Sequence, residues 1–227
     1  MCGRYKLTPG TDLEELLAFL NAEGEPRYSE DVSPGSTISI IREKDGRRTV
    51  EDAKWWLLLM LPDLKPAKLA CFNSRYDKLN VPKSLAYLPY RKSRCLIPAS
   101  AFIETAGDKG SKTAHMIEEP GRLITFGGLY KTWLNRETGE LINSASIITL
   151  PPVPGWENIH PKSMPMLLDY TNKGLIDKWL DPDFDKVEEF EPLLESKIIR
   201  TQRVTPIGKV SQWNAIGDSF EIQGRPA

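Results

Sequence analysis

The sequence is poor in the residues that most directly announce chemistry. Its 227 residues hold three cysteines and two histidines. Cys2, Cys71 and Cys95 are scattered, odd in number and form no Cys-x-x-Cys pair. A closed structural zinc site is therefore not expected, nor is a disulfide framework. No apolar run approaches the ~20 residues that span a bilayer. The opening Met-Cys-Gly-Arg-Tyr-Lys has no apolar core of the kind a secretory signal carries. There is no Gly-x-Gly-x-x-Gly, no Walker pattern, no internal repeat and no low-complexity linker, so no nucleotide cofactor is signalled. Charge of one sign is missing too. Thirty Lys and Arg stand against 31 Asp and Glu, for a net charge of −1, so no global basic field points to nucleic acid. Local basic clusters remain, at 42–48 and at Arg91, Lys92 and Arg94, and they read first as solvated surface. These absences predict a soluble, cytoplasmic protein with neither metal nor cofactor and no membrane partner; nothing in them signals an oligomeric state, and a monomer is the default expectation.

What is present fits one ordinary globular domain over 1–227, with 40% hydrophobic and 27% charged residues. Eighteen prolines, well spread, suit many short strands joined by turns. Thr11 with Glu14 makes a capping-box pattern, and Leu13, Leu16, Leu17 and Leu20 form a 3,4-spaced apolar face, so a helix is predicted over 11–22. A second helix is predicted over 171–180, and a short helix or turn over 83–90. Strands are predicted at 36–41, 50–60, 94–97, 101–104, 114–118, 123–133, 144–150, 164–168 and 198–206, several rich in β-branched or aromatic residues. Strands outnumber helices and follow one another directly. The expected class is α+β, with a mainly antiparallel sheet flanked by helices.

The chemistry begins at Cys2. Initiator methionine is normally removed when the next residue is small, which leaves an α-amine and a thiol on one residue. With ordinary pKa values of about 7.7–8.0 and about 8.5, both are usable nucleophiles near neutral pH. A 1,2-aminothiol can attack an aldehyde through nitrogen, form an imine, and close a five-membered thiazolidine through sulfur. Asn73 and Arg75, two residues apart, share a face if the chain is extended there. The amide could orient the new N-terminus, and the guanidinium could hold a phosphate. Glu104 ends an apolar stretch beside Phe102 and Ile103, where desolvation would raise its pKa and suit acid/base work. His160 ends a proline-rich loop, a common setting for functional histidines. His115 lies inside a strand pattern and reads as packing.

Taken together these segments resemble the SRAP family, the SOS response-associated peptidase-like proteins. The pieces run in family order over nearly the whole chain: Met1-Cys2-Gly3-Arg4, Asp31 to Gly35, Lys54-Trp55, Phe72-Asn73-Ser74-Arg75, Arg94 to Ala99 with Phe102 and Glu104, Phe126 to Tyr130, Ile147 to Thr149, His160 with Met164-Pro165, and Trp179-Leu180. The resemblance implies a single α+β domain built around a barrel-like antiparallel sheet. It implies a DNA–protein crosslinking enzyme that senses abasic sites in single-stranded DNA and shields them through a thiazolidine on Cys2. By position, Asn73 would place the nucleophile, Glu104 would act in acid/base steps and hold the amine, and His160 would assist proton transfer in ring opening and reversal. Arg4, Arg75, Trp55, Thr149 and Lys162 would lie toward the DNA.

Three stretches depart from the family pattern. Arg-Trp-Gly-Leu-x-Pro-x-Trp becomes Lys54 to Leu61, which puts leucine where a second aromatic is expected to stack. Phe-Tyr-Glu-Trp becomes Phe102-Ile103-Glu104-Thr105. His-x-Arg-Met-Pro becomes His160 to Pro165, one residue longer, with Lys162 as the available charge. Two other readings stay open: a thiol hydrolase using Cys2, His160 and Glu104, and a non-catalytic single-strand binder using Arg4, Arg75 and the 91–94 cluster.

Overall fold

Five strands close on themselves around the main hydrophobic core. In a computed structural model that describes residues 2–107 and 112–224, Thr37–Lys44 and Arg47–Lys54 form a hairpin whose first strand meets Arg94–Ala99. Arg94–Ala99 pairs with Ile124–Leu134, which pairs in turn with Leu141–Leu150, all antiparallel. A parallel contact, Asn143 opposite Ala53 and Ser144 opposite Lys54, shuts the ring. A second sheet of six strands leaves the barrel at Ser100, where the chain runs from Arg94–Ala99 into Ala101–Ala106. Its order is Phe220–Ile222, Gln202–Ile207, Thr113–Glu118, Ala101–Ala106, Tyr5–Leu7 and Ser29–Val32. The fold is the expected α+β barrel with flanking helices. Met1, whose removal the sequence suggests, lies outside the described residues, as do 225–227 of the expected 1–227 domain.

The double glycine of Phe126-Gly127-Gly128 shows how tightly the barrel is filled. A Cβ on Gly128 would sit 2.9 Å from both the Cys95 sulfur and Ile97 Cδ1, and one on Gly127 would collide with the end of Met166. Next to these glycines Tyr5, Trp55, Phe102 and Phe126 meet edge to face, with ring centroids 5.2–5.9 Å apart. All four rings are buried. Such pairs add roughly 0.5–1.5 kcal/mol each beyond area burial.

Several predicted elements shift. The first helix is Thr11–Leu20, with Gly10 as its N-cap and no side-chain capping bond, so the Thr11–Glu14 box does not form because Thr11 is already helical. It stops where Asn21 turns left-handed, at φ 51°. The predicted strand 50–60 ends at Lys54. There Trp56 N–H turns back to the Lys54 carbonyl at 2.7 Å, and Trp55 dives into the core. The apolar run 55–60 is therefore packing across a bend, with only Leu59–Met60 paired, to Lys65–Pro66. The basic stretch 42–48 is the barrel hairpin, turned at Asp45-Gly46. Arg94 is not a surface cation. It is 2% exposed and donates to the carbonyls of Tyr90, Arg91, Trp179, Asp181 and Phe184. It satisfies the ends of two helices and cannot serve a DNA-binding cluster.

Candidate active site

The second sheet carries the N-terminus to the site. Tyr5 pairs with Phe102, and Ile103 N–H bonds the Arg4 carbonyl at 2.9 Å, so the first residues run alongside the strand that holds Glu104. Cys2 is fully buried at the edge of the core. Asn73 reaches it from the barrel side. The short strand Asn73–Arg75 adds in parallel to Ile147–Thr149, and the Ser74 hydroxyl meets that of Ser146 at 2.7 Å. Alternation then puts Asn73 and Arg75 on the opposite face from Ser74. From there the Asn73 amide donates to the Cys2 carbonyl at 2.8 Å.

Glu104 is 2% exposed. Burial pushes its carboxyl up to about 7. The expectation of a desolvated acid is met, and a water-facing strand end is excluded. His160 arrives from the loop after Trp156, held by its backbone N–H on the Trp156 carbonyl at 2.8 Å. Its Nδ1 lies 2.8 Å from the Thr105 carbonyl and 3.6 Å from Glu104 Oε2. A carbonyl only accepts, so Nδ1 carries the proton and Nε2 is the basic nitrogen of the neutral ring. Burial lowers the imidazole below its ordinary value, with the Thr105 carbonyl acting in the other direction. The 3.6 Å approach to Glu104 Oε2 puts the imidazole and the carboxyl side by side. The Cys2 thiol is pushed well above its ordinary value, first by burial and then by the Glu104 charge.

A cleft of about 480 Å³ opens beside His160, walled by Arg75, Tyr76, Thr149, Leu150, Pro151, Lys162 and Ser163. A second, of about 270 Å³, opens beside Glu104 between Arg4, Ser33 and Val210. The structure thus brings Cys2, Asn73, Glu104, His160, Arg75, Thr149, Lys162 and Arg4 around one locus. Two of the cations are already held. Arg4 Nε lies 2.6 Å from Asp31, and Arg75 grips Asp77 through Nε and Nη2 at 2.9 and 2.8 Å. Lys162 is exposed, and no carboxylate among the described residues pairs with it. Trp55 must be corrected. It is fully buried, with Nε1 on the Phe72 carbonyl at 2.9 Å, and it supports the site from below instead of touching DNA. Tyr76, 37% exposed on the cleft wall, was not singled out from the sequence, although it directly follows Arg75. Among the described residues no group of three His, Cys, Asp or Glu could hold a metal, and no helix is long and apolar enough to cross a membrane.

A family model described as SOS response associated peptidase (SRAP) matches residues 1–211. The chain is 29% identical to the abasic site processing protein YobE of Bacillus subtilis, covering 86% of this chain and 88% of that protein. It is 38% identical to the abasic site processing protein HMCES of Pongo abelii, covering 85% of this chain and 67% of that one. A solved structure from Bordetella bronchiseptica superposes with a TM-score of 0.71 at 19% identity, over 92% of this chain and all of that one, a likeness of fold.

Proposed function

The chain belongs to the SRAP family, and from that premise we propose that it processes abasic sites in single-stranded DNA by linking Cys2 covalently to the ring-opened sugar. The observation that carries this reading is the convergence of Asn73, Glu104 and His160 on a buried second residue beside two clefts. Two relatives bear names that specify abasic-site processing. Removal of Met1 makes Cys2 the N-terminus. The α-amine nitrogen attacks the aldehyde carbon, whose oxygen takes the electron pair. The attacking nitrogen passes one of its protons to that oxygen, and protonated Glu104, at about 7, donates a second, so that the oxygen leaves as water and a protonated imine forms. Sulfur then adds to the imine carbon, the C=N pair returns to nitrogen, and the thiol proton passes to the site's bases. The sum is aldehyde plus aminothiol giving thiazolidine plus water, which needs no cofactor.

The order of events follows from the electrostatics. A thiol pushed up by burial is a poor first nucleophile, so nitrogen attacks first and sulfur closes the ring. The same shift works against a thiol hydrolase, which needs a stabilised thiolate. His160, with Nε2 as its basic nitrogen, assists the proton transfers of closure and reversal. Lys162, Arg75 and Thr149 give the DNA backbone a path along the larger cleft. The test is denaturing electrophoresis after mixing the full chain with single-stranded DNA bearing one abasic site, with intact mass confirming that Met1 is gone. A shifted band that needs both the lesion and Cys2 is expected. No band from the processed protein would sink the proposal.

A further inference from the structure

The second histidine stands across the sheet from the acid. Glu104 and His115 are directly opposed in the antiparallel pair formed by Ala101–Ala106 and Thr113–Glu118. Residues so paired project from the same face, with Cβ atoms about 4.5–5.5 Å apart, within reach of one rotamer change or one bridging water. His115 is 7% exposed, and its buried Nδ1 has no hydrogen-bond partner among the described residues. Buried polar atoms are rarely left so, and those that are call for a functional reading. We infer that His115 is a positioning residue for Glu104, exchanging a proton with the carboxyl across the strand pair. This inference rests on the crosslinking chemistry above and adds a group to it.

The need for such a residue comes from the proton count. Starting from the neutral amine, ring closure is balanced, since the proton that leaves with water is matched by the proton from sulfur. Starting from the ammonium form, one further proton must leave a site where both Cys2 and Glu104 are buried. A group that takes it from Glu104 resets the acid for the next transfer. Burial acts on both groups, raising the Glu104 carboxyl to about 7 and lowering the His115 imidazole, so both are held toward their neutral forms.

The other groups facing this pair are few. Cys2, His160 and the chain's α-amine act on Glu104, the amine favouring its charged form. Lys112 and Lys162 act on His160 from farther out. On the third strand Pro206 stands opposite His115, so Gln202, Val204 and Pro206 share its face and none of them titrates. Glu118 and Arg203 oppose each other on the alternate face.

The test is a carboxyl-carbon NMR titration of Glu104 in the full chain, assigned with Glu104→Gln, for wild type and for His115→Phe. The latter keeps a flat ring and removes both nitrogens. Wild type should show a step coupled to His115 that the variant lacks, with the Glu104 midpoint displaced by about half a pH unit or more. The single-turnover crosslinking rate of His115→Phe should fall at least about fivefold, with a narrowed pH profile and unchanged non-covalent DNA affinity in a Cys2→Ala background. His115→Gln, which keeps polar atoms, replaces it if the phenylalanine variant does not fold. A Glu104 titration superimposable on wild type in a folded variant overturns the inference. Should wild type form no crosslink at all, the proposed function fails, and the NMR titration still decides the role of His115.

Discussion

The side-chain amide of Asn73 donates a 2.8 Å hydrogen bond to the carbonyl oxygen of Cys2. It fixes the first peptide unit after the nucleophile, so the α-amine and thiol keep one direction relative to Glu104. Misplacement of a reacting group by about 1 Å can lower a rate about 100-fold. Asn73→Ala should therefore slow crosslinking roughly 10- to 100-fold at saturating abasic DNA while leaving DNA affinity nearly intact. Gel time courses read the rate, and anisotropy in a Cys2→Ala background reads the affinity. Equal loss of both would assign Asn73 to DNA binding instead.

Glu104 also predicts a pH dependence of stability. Its folded pKa, about 7, lies above the ordinary carboxylate value, so the native state binds the proton more tightly than the unfolded chain. Between about pH 4.5 and 7 the native state holds more protons, and stability falls as pH rises. The loss is on the order of 3 kcal/mol at most. Glu104→Gln should flatten this slope and melt higher than wild type at pH 8, while crosslinking poorly. Thermal melts from pH 4 to 8 check it. A slope unchanged in the variant would mean that Glu104 is not the group responsible.

The cations of the larger cleft should differ in worth. Lys162 has no carboxylate partner among the described residues, whereas Arg75 is gripped by Asp77. Lys162→Ala should weaken non-covalent binding and reduce the slope of log affinity against log salt by about 0.7 for a single strand. Asp77→Asn should strengthen binding by freeing Arg75, because an exposed ion pair contributes only about 0–1 kcal/mol. Affinity measured across a salt series separates the two, and a Lys162→Ala slope equal to wild type would place the phosphates elsewhere.

Trp55 should behave as a core residue. Trp55→Ala is expected to destabilise the fold by about 3–5 kcal/mol, since it empties a buried ring site and strands the Phe72 carbonyl. Trp55→Phe should cost less, and the folded variant should bind DNA as wild type does. Urea melts alongside anisotropy distinguish this from a stacking role, in which affinity would drop and stability would not.

The sequence carries the chemistry of this site better than its surroundings. Cys2, Asn73, Glu104 and His160 could each be singled out by residue type and local setting, and folding brings all four together. Burial was harder to read. Arg94 sits in a cluster of positive charge and reads as surface, yet three of the five carbonyls that hold it come from residues more than 80 positions away. Trp55 opens an apolar run that fits a strand as well as a bend, because periodicity cannot tell the two apart in six residues. The restraint on Arg75 was within reach, since Asp77 lies two residues on. The restraint on Arg4 was not, because Asp31 reaches it only through the pairing of Tyr5–Leu7 with Ser29–Val32.

The edge of Leu141–Leu150 serves two neighbours in succession. Asn143 and Ser144 accept the strand that closes the barrel, and Ile147 to Thr149 accept the strand that carries Asn73. Closure and site assembly thus lie within one ladder, a few residues apart. The Ile147 N–H, bonded to the Phe72 carbonyl at 3.0 Å, anchors the site strand to the same edge that closes the barrel. The placement of Asn73, and through it of the Cys2 carbonyl, therefore depends on the strand that closes the barrel, and a chain that has lost its closure has lost that geometry with it.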